Sequence, residues 1–157
     1  RIEVINPASG YLACGDTGEG KMPEPEVLLS YILRELAHEK DMKGLKVCVT
    51  AGPTRETIDP VRFISNRSTG KMGFALAKNA MERGADVTLV SGPVELKDVP
   101  FVKMVHVESA RQMFEAVTKE AETADIIVKA AAVADYRPAV VGGEKKKKKK
   151  GGMSNAP

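Results

Sequence analysis

At 157 residues the chain has the length of one domain, and its 43% apolar and 29% charged residues, with 14 Gly and 9 Pro, are globular values that exclude disordered, collagen-like and coiled-coil classes. The formal charge of +3 is set by one unbroken lysine run, Lys145 to Lys150, around an otherwise mildly acidic body, and aromatics reach only 4% with no Trp. That balance argues against a nucleic-acid-binding face and its base-stacking platforms, and no apolar run approaches the roughly 18 to 20 residues of a membrane span.

In chain order, residues 1–25 are dense in turn residues (Asn6-Pro7, Ser9-Gly10, Gly15-Asp16, Gly18, Gly20, Pro23, Pro25) and predict a loop. Val27, Leu28, Tyr31, Ile32 and Leu36 then recur at helical spacing, with Arg34, Glu35 and Glu39 opposite, predicting an amphipathic helix over about 26–40 with Pro25 in its first turn. Asp41 to Gly44 end it as a linker. LKVCVT (45–50) is a short β-branched run, hence a buried strand. Residues 51–69 show no clean period, and a structureless stretch of this size inside a compact domain is usually functional. A helix over 70–84 closed by Gly84, strands over 86–90 and 102–107, a helix opened by the capping box Ser109 to Gln112, and a strand over 125–130 follow. Alternating strands and helices with short connections imply a doubly wound, three-layer Rossmann-like α/β sheet with helices on both faces. Ligands of such sheets sit beyond the carboxyl ends of the strands, which singles out Ala51–Gly73 and Ala130–Lys145.

The opening RIEVINPASG lacks a basic-then-apolar leader pattern, and Cys14 and Cys48 form neither a CxxC motif nor a cluster with His. A reducing, cytoplasmic setting is therefore expected, without a disulfide scaffold or structural zinc. Cys48, inside a strand, reads as packing; Cys14, among Gly15, Gly18 and Gly20, is a candidate reactive thiol. His38 and His106 have no partner pattern and read as structural.

Gly70-Lys71 before a helix has the look of a P-loop end, but Ser65 stands where the first P-loop glycine is required and Met72 where the Ser or Thr belongs. The dinucleotide fingerprint fails as well, since AGPTRE holds one glycine, and Ser91 follows the second strand where an acid for a ribose hydroxyl is expected. What remains is a helix N-terminus with Ser68, Thr69, Gly70 and Lys71 beside it, suited to a phosphate or equally to an ordinary cap. Asn66 offers an amide donor for a carbonyl oxygen gaining charge, or serves as a turn residue. Asp135, soon after the fourth strand, suits ribose hydroxyls or a divalent cation, or caps a loop. A nicotinamide-dependent oxidoreductase on the same sheet type, and a non-catalytic polyanion-binding module using the lysine run, are the alternatives from the residues alone.

Two strings carry a family resemblance. AGPTRETIDPVRFISNRSTGKMG (51–73) followed by AAVADYRP (131–138) resembles the phosphopantothenoylcysteine synthetase family of coenzyme A biosynthesis, and PASGYLACGDTGEGKMPEP (7–25) resembles the clamp of the decarboxylase fused ahead of that synthetase in most bacteria. The resemblance runs from Arg1 to about Lys145. It implies two parts: 1–43, the decarboxylase clamp and a linker helix, and 44–157, the first part of a CTP-binding synthetase domain with 146–157 unaligned. The implied chemistry uses CTP with Mg²⁺ to activate 4′-phosphopantothenate as an acyl-cytidylate, which the amine of cysteine then attacks. By the same resemblance Asn66 holds the acyl-cytidylate, Ala131 to Asp135 contact the nucleotide with Lys129 and Ala130 just before them, Lys145 is the essential lysine of a Lys-Ile-Lys-Lys motif, and Cys14 donates a proton late in decarboxylation; Ser68, Gly70 and Lys71 are expected at the substrate on the helix-terminus reading above. Lys146 departs from that motif's Ile, and metal ligands are not identified. FMN and the catalytic histidine of the decarboxylase belong to a body not represented in this sequence. A homodimer through the synthetase domain, and a higher oligomer with the decarboxylase body, are the implied assemblies, with no nucleic-acid or membrane partner.

Overall fold

The computed structural model describes residue 2 and residues 4–144; Lys145, the rest of the lysine run and the tail to Pro157 lie outside the described residues. The elements are, in chain order, β1 (Ala8–Tyr11), β2 (Thr17–Lys21), α1 (Pro25–Leu36), β3 (Lys46–Ala51), β4 (Arg55–Thr57), β5 (Phe63–Ser65), α2 (Lys71–Glu82), β6 (Asp86–Ser91), β7 (Lys103–His106), α3 (Ala110–Ala121) and β8 (Ile126–Lys129).

The body is a parallel sheet in the order β7-β6-β3-β8. Successive side chains of a strand point to opposite faces. Val47, Val49 and Ala51 of β3, with Val87 and Leu89 of β6, join Phe74, Ala77, Ala80 and Met81 of α2 in one core. Cys48 and Val90, from the alternate positions, join Met113 of α3 in a second core. Helices α2 and α3 therefore cover opposite faces, and the expected three-layer architecture is present. Strands buried on both faces read as continuous apolar runs, which is why KVCVTA and DVTLVS stand out in the sequence.

The sheet begins at β3, grows outward through β6 and β7, then crosses back to place β8 on the other flank of β3. The carboxyl ends of β3 and β8 thus flank the point where the winding reverses, the usual ligand crevice of such folds.

Three expectations need correction. Residues 8–21 are an antiparallel hairpin, pairing Ser9 with Glu19 and Tyr11 with Thr17, rather than loop; its strands ASGY and TGEGK have no alternation of apolar and polar residues, and ladder pairing alone defines them. The helix expected to reach residue 40 stops at Leu36. There Lys40 folds back, its Nζ donating to the carbonyls of Arg34 and Glu82 at the ends of both α1 and α2. The linker is held to α2 by a two-pronged contact, Arg83 Nε and Nη2 to Asp41 Oδ1 and Oδ2 at 2.8 and 2.5 Å. Finally, residues 51–69 contain a small hairpin of β4 and β5, pairing Arg55 with Ser65 and Thr57 with Phe63. Strands of three residues are too short for a period to show.

Helix ends follow local chemistry. Pro25 starts α1, Glu26 lies in its first turn and Arg34 in its last. At α3 the Ser109 hydroxyl accepts from the Gln112 amide while the Gln112 side chain accepts from the Ser109 N–H, the capping box read from the sequence.

Candidate functional site

The loops leaving β3 and β8 are stitched together. The Thr50 hydroxyl accepts from the amides of Ala130 at 3.1 Å and Ala131 at 3.2 Å. The Ala132 amide donates to the Gly52 carbonyl at 2.8 Å, and the Thr54 amide donates to the Ala132 carbonyl at 3.3 Å. The amide of Ala134 donates to the Thr54 hydroxyl at 2.9 Å. The two segments singled out by topology are thus one physical unit, and Asn66 closes it: its Nδ2 donates to the carbonyls of Ala132 at 3.3 Å and Val133 at 3.0 Å.

The β4–β5 hairpin carries Asn66 at its far end and is built to hold still. Asp59, 1% exposed, turns the chain between the strands. Its Oδ1 accepts from the amides of Val61 and Arg62, and its Oδ2 from Arg62 Nε at 2.9 Å and Nη2 at 2.6 Å. At the hairpin's base the buried Glu56 accepts from the first α3 amide, Ala110, at 2.8 Å, and the Arg55 amide donates to the Glu108 carbonyl at 2.7 Å. A carboxylate at a helix N-terminus is favoured by the helix dipole.

Behind Asn66, the start of α2 approaches the end of β3 closely. Gly52 and Gly70 both adopt left-handed backbone, with φ of 75° and 74°. A β-carbon at Gly70 would lie 2.9 Å from Val94 Cγ1, and one at Gly73 would lie 2.5 Å from the Ala51 β-carbon. A tight turn, a close backbone approach and close helix–strand packing are the three tasks of the dinucleotide-fingerprint glycines. Here they are divided between two segments, so the motif is invisible as a contiguous string; the signal available in the sequence was the Gly52, Gly70 and Gly73 set read across the intervening hairpin.

An open cavity of about 1000 Å³ lies over this junction, lined by Asn66, Arg67, Ser68, Thr69 and Lys71, by Arg55, Phe63 and Ser65 of the hairpin, and by 93–96 after β6. Helix α2 has no side-chain cap, leaving the first-turn amides for an anion. Arg55, Arg67 and Lys71 against Glu95 give the wall a positive balance; the Arg55 guanidinium lies 4.8 Å from the Phe63 ring centroid.

The candidate residues are distributed as follows. Asn66, Ser68 and Lys71 line the cavity, and Gly70 is buried at the N-cap of α2. Lys129, Ala130 and Ala131 lie at the end of β8 and its exit, next to the stitches, with Asp135 exposed just beyond. Cys14 is exposed at the turn of the β1–β2 hairpin, apart from this junction. Cys48 is buried, and desolvation first, then the Glu120 charge, push its thiol up from the ordinary value. His38 pairs with Glu82 and His106 with Asp98 at the surface. Among the described residues no group of three or more His, Cys, Asp or Glu gathers to hold a metal ion, and no helix is long and apolar enough to cross a membrane. A second cavity of about 780 Å³ above β6 and β7 has mixed charge and includes none of the candidate residues.

Thr50, Thr54, Glu56 and Asp59 are the residues that sequence reasoning passed over. Each is a buried polar group, Thr50 near the end of β3 and the other three inside the stretch without a period, and buried polar groups are hydrogen-bonded or they are costly.

The chain is similar to proteins of known sequence and structure. The chain is 50% identical over 136 residues to the coenzyme A biosynthesis bifunctional protein CoaBC of Haemophilus influenzae, covering 87% of this chain and 34% of that protein. It is 53% identical over 143 residues to CoaBC of Mycobacterium tuberculosis (strain ATCC 25618 / H37Rv), covering 88% and 34%. The chain spans about a third of the length of these curated relatives. The crystal structure of the C-terminal domain of a CoaBC superposes with a TM-score of 0.61 at 53% identity, covering 64% of this chain and 51% of that one. The model of the DNA/pantothenate metabolism flavoprotein C-terminal domain matches residues 42–156. A match over that much of the chain, on a parallel sheet whose reversal point gathers the same two strings, makes this chain a member of the DNA/pantothenate metabolism flavoprotein C-terminal domain family.

Proposed function

We propose that this chain carries the nucleotide-binding sheet of a CTP-dependent ligase that joins 4′-phosphopantothenate to cysteine, in a protein that also decarboxylates the product. The observation that carries the reading is the contact of Asn66 Nδ2 with the Val133 carbonyl at 3.0 Å, which draws the residues expected at the acyl group and at the nucleotide to one crevice.

In this reading the substrate carboxylate attacks the α-phosphorus of CTP and pyrophosphate leaves. The α2 amides with Ser68, Gly70 and Lys71 hold phosphate oxygens, while Lys129, Ala130, Ala131 and Asp135 face the nucleotide. The amine of cysteine then attacks the acyl carbon, and CMP departs with the carbon–oxygen bond pair. Asn66 serves the acyl oxygen, where a preorganised donor is worth most as charge develops. Its Nδ2 already donates toward the Ala132 and Val133 carbonyls, so donation to the substrate oxygen competes with those bonds. Asp135 is a carboxylate that would help hold Mg²⁺ beside the nucleotide, where the ion would offset phosphate charge. Lys145, outside the described residues, is the lysine the family resemblance implies for this chemistry. Residues 1–43 form the clamp and linker of the decarboxylase, with Cys14 as its proton donor; FMN supplies the redox step of that part, and no residue of this chain is assigned to it. A cytoplasmic homodimer through residues 44–157 completes the proposal.

The test has two arms. Calorimetry of this chain with Mg²⁺ should give CTP binding stronger than ATP, NAD or FMN, at roughly millimolar strength, or about −4 kcal/mol; NAD binding as tightly as CTP overturns the ligase reading. Full-length protein given 4′-phosphopantothenate, cysteine and CTP should release pyrophosphate and form the amide, with ATP a poor substitute.

A further inference from the structure

Three separated segments converge on one threonine that water does not reach. Thr54 is 0% exposed. Its hydroxyl accepts from the Ala134 amide at 2.9 Å, its own amide donates to the Ala132 carbonyl at 3.3 Å, and its carbonyl accepts from the Ser65 hydroxyl at 2.8 Å. Ser65 precedes Asn66, and Asn66 reaches back to the carbonyls of Ala132 and Val133. The contacts form a closed ring, from Thr54 through Ser65 and Asn66 to Val133 and Ala134 and back. The cavity is lined by Pro53 and Arg55 on either side of Thr54 but not by Thr54 itself.

We infer that Thr54 is a positioning residue for the ligation proposed above: without touching substrate, it sets the separation between Asn66 and the 131–135 segment. The inference rests on that reading for its chemistry and on the ring alone for its geometry. A ring of hydrogen bonds constrains its members only while every link is made. Of the links that meet at Thr54, only the one from Ala134 ends on its side chain, so substitution can remove that link and leave the backbone bonds in place. Valine matches threonine in shape but cannot accept from Ala134, whereas serine can. Reaction across the crevice needs both segments in register, while nucleotide binding needs one, so loss of the link should act on kcat more than on KM.

The experiment compares Thr54→Val and Thr54→Ser in the full-length protein, by steady-state ligation and by amide hydrogen exchange of peptides covering 63–67 and 130–135. Thr54→Val should lower kcat by about 100-fold, the scale of a misplacement near 1 Å, with KM for CTP changed by no more than about threefold. Exchange should quicken in both peptides together, and Thr54→Ser should recover kcat to within about tenfold of wild type. Retention of kcat in folded Thr54→Val, equal damage by serine and valine, or faster exchange in 130–135 without 63–67 overturns the inference. Should Thr54→Val not fold, Ser65→Ala cuts the ring at a half-buried side chain: a roughly tenfold loss of kcat with coupled exchange supports it, and unchanged kcat overturns it. Absence of ligation in the wild type overturns the proposed function instead, and the ring is then judged by the coupled exchange alone.

Discussion

Asn66 is asked to do two things, and a single substitution separates them. Asn66→Asp places a carboxylate against the carbonyl oxygens of Ala132 and Val133 in place of a donor to both. On the function proposed above, amide formation by the full-length protein should fall by about 100- to 1,000-fold, the usual effect of losing an oxyanion donor. Because the side chain is exposed, stability should fall by only about 1 kcal/mol. Single-turnover product analysis beside a thermal melt checks both; turnover within a few-fold of wild type makes Asn66 a turn residue only. Far from that site, Glu120 shows how one side chain sets a pH dependence. The Lys103 ammonium, donating at 2.7 Å, holds the Glu120 carboxyl below its ordinary value of 4.5 against the cost of partial burial, and the Thr88 hydroxyl donates to it at 3.0 Å. A carboxyl depressed in the folded state contributes stability above its unfolded value, lost as pH falls through the folded value. Glu120→Gln should therefore cost about 0.5 to 1 kcal/mol at pH 7, and the gap between variant and wild type should close below about pH 4 in urea titrations.

At the scale of elements, α2 is positioned by what it lacks. Gly73 lets the first turn sit against β3; a methyl group there would meet the Ala51 β-carbon at 2.5 Å and the Thr50 carbonyl oxygen at 2.9 Å. Gly73→Ala should push the helix off the strand and cost about 1 to 3 kcal/mol, the usual range for overpacking. Urea denaturation measures that loss, and on the function proposed above calorimetry should show weaker CTP binding, because Ser68 and Lys71 move with the helix start. How far each element was legible depended on its length and partners. The ends of α3 were readable because Ser109 and Gln112 satisfy each other locally. The β1–β2 hairpin and the β4–β5 hairpin were not, because their short strands are defined by pairing rather than by side-chain period.

Across the whole molecule the N-terminal hairpin forms its own two-stranded sheet beside the four-stranded one. Among the described residues the buried core starts at Val47, and β1 pairs only with β2. Helix α1 buries none of its residues fully and leans on the body through Tyr31 and Arg34, both 4.7 Å from the Phe101 ring centroid. On the function proposed above, Cys14→Ser in the full-length protein should leave ligation at the wild-type rate while blocking decarboxylation, since a hydroxyl is a far weaker acid than a thiol. The undecarboxylated amide should accumulate in product analysis; slowed ligation would show that the two parts act as one.

The sequence by itself determined the α/β class, the order along the chain of the four sheet strands and three helices, and the two strings that mark the family. Those features rest on local causes: a period of two or 3.6 residues, a cap three residues from its partner, a left-handed turn at a glycine. What only the tertiary structure decided is which segments meet. Asn66 lies 66 positions from Ala132, and Thr54 lies 80 from Ala134. Nothing local in either segment specifies the other. The two loops leave the sheet side by side at its point of reversal, and their polar groups find hydrogen-bond partners in the loop alongside. That pairing makes Thr50 near the end of β3, with Thr54 and Glu56 in the stretch without a period, the frame that holds the crevice.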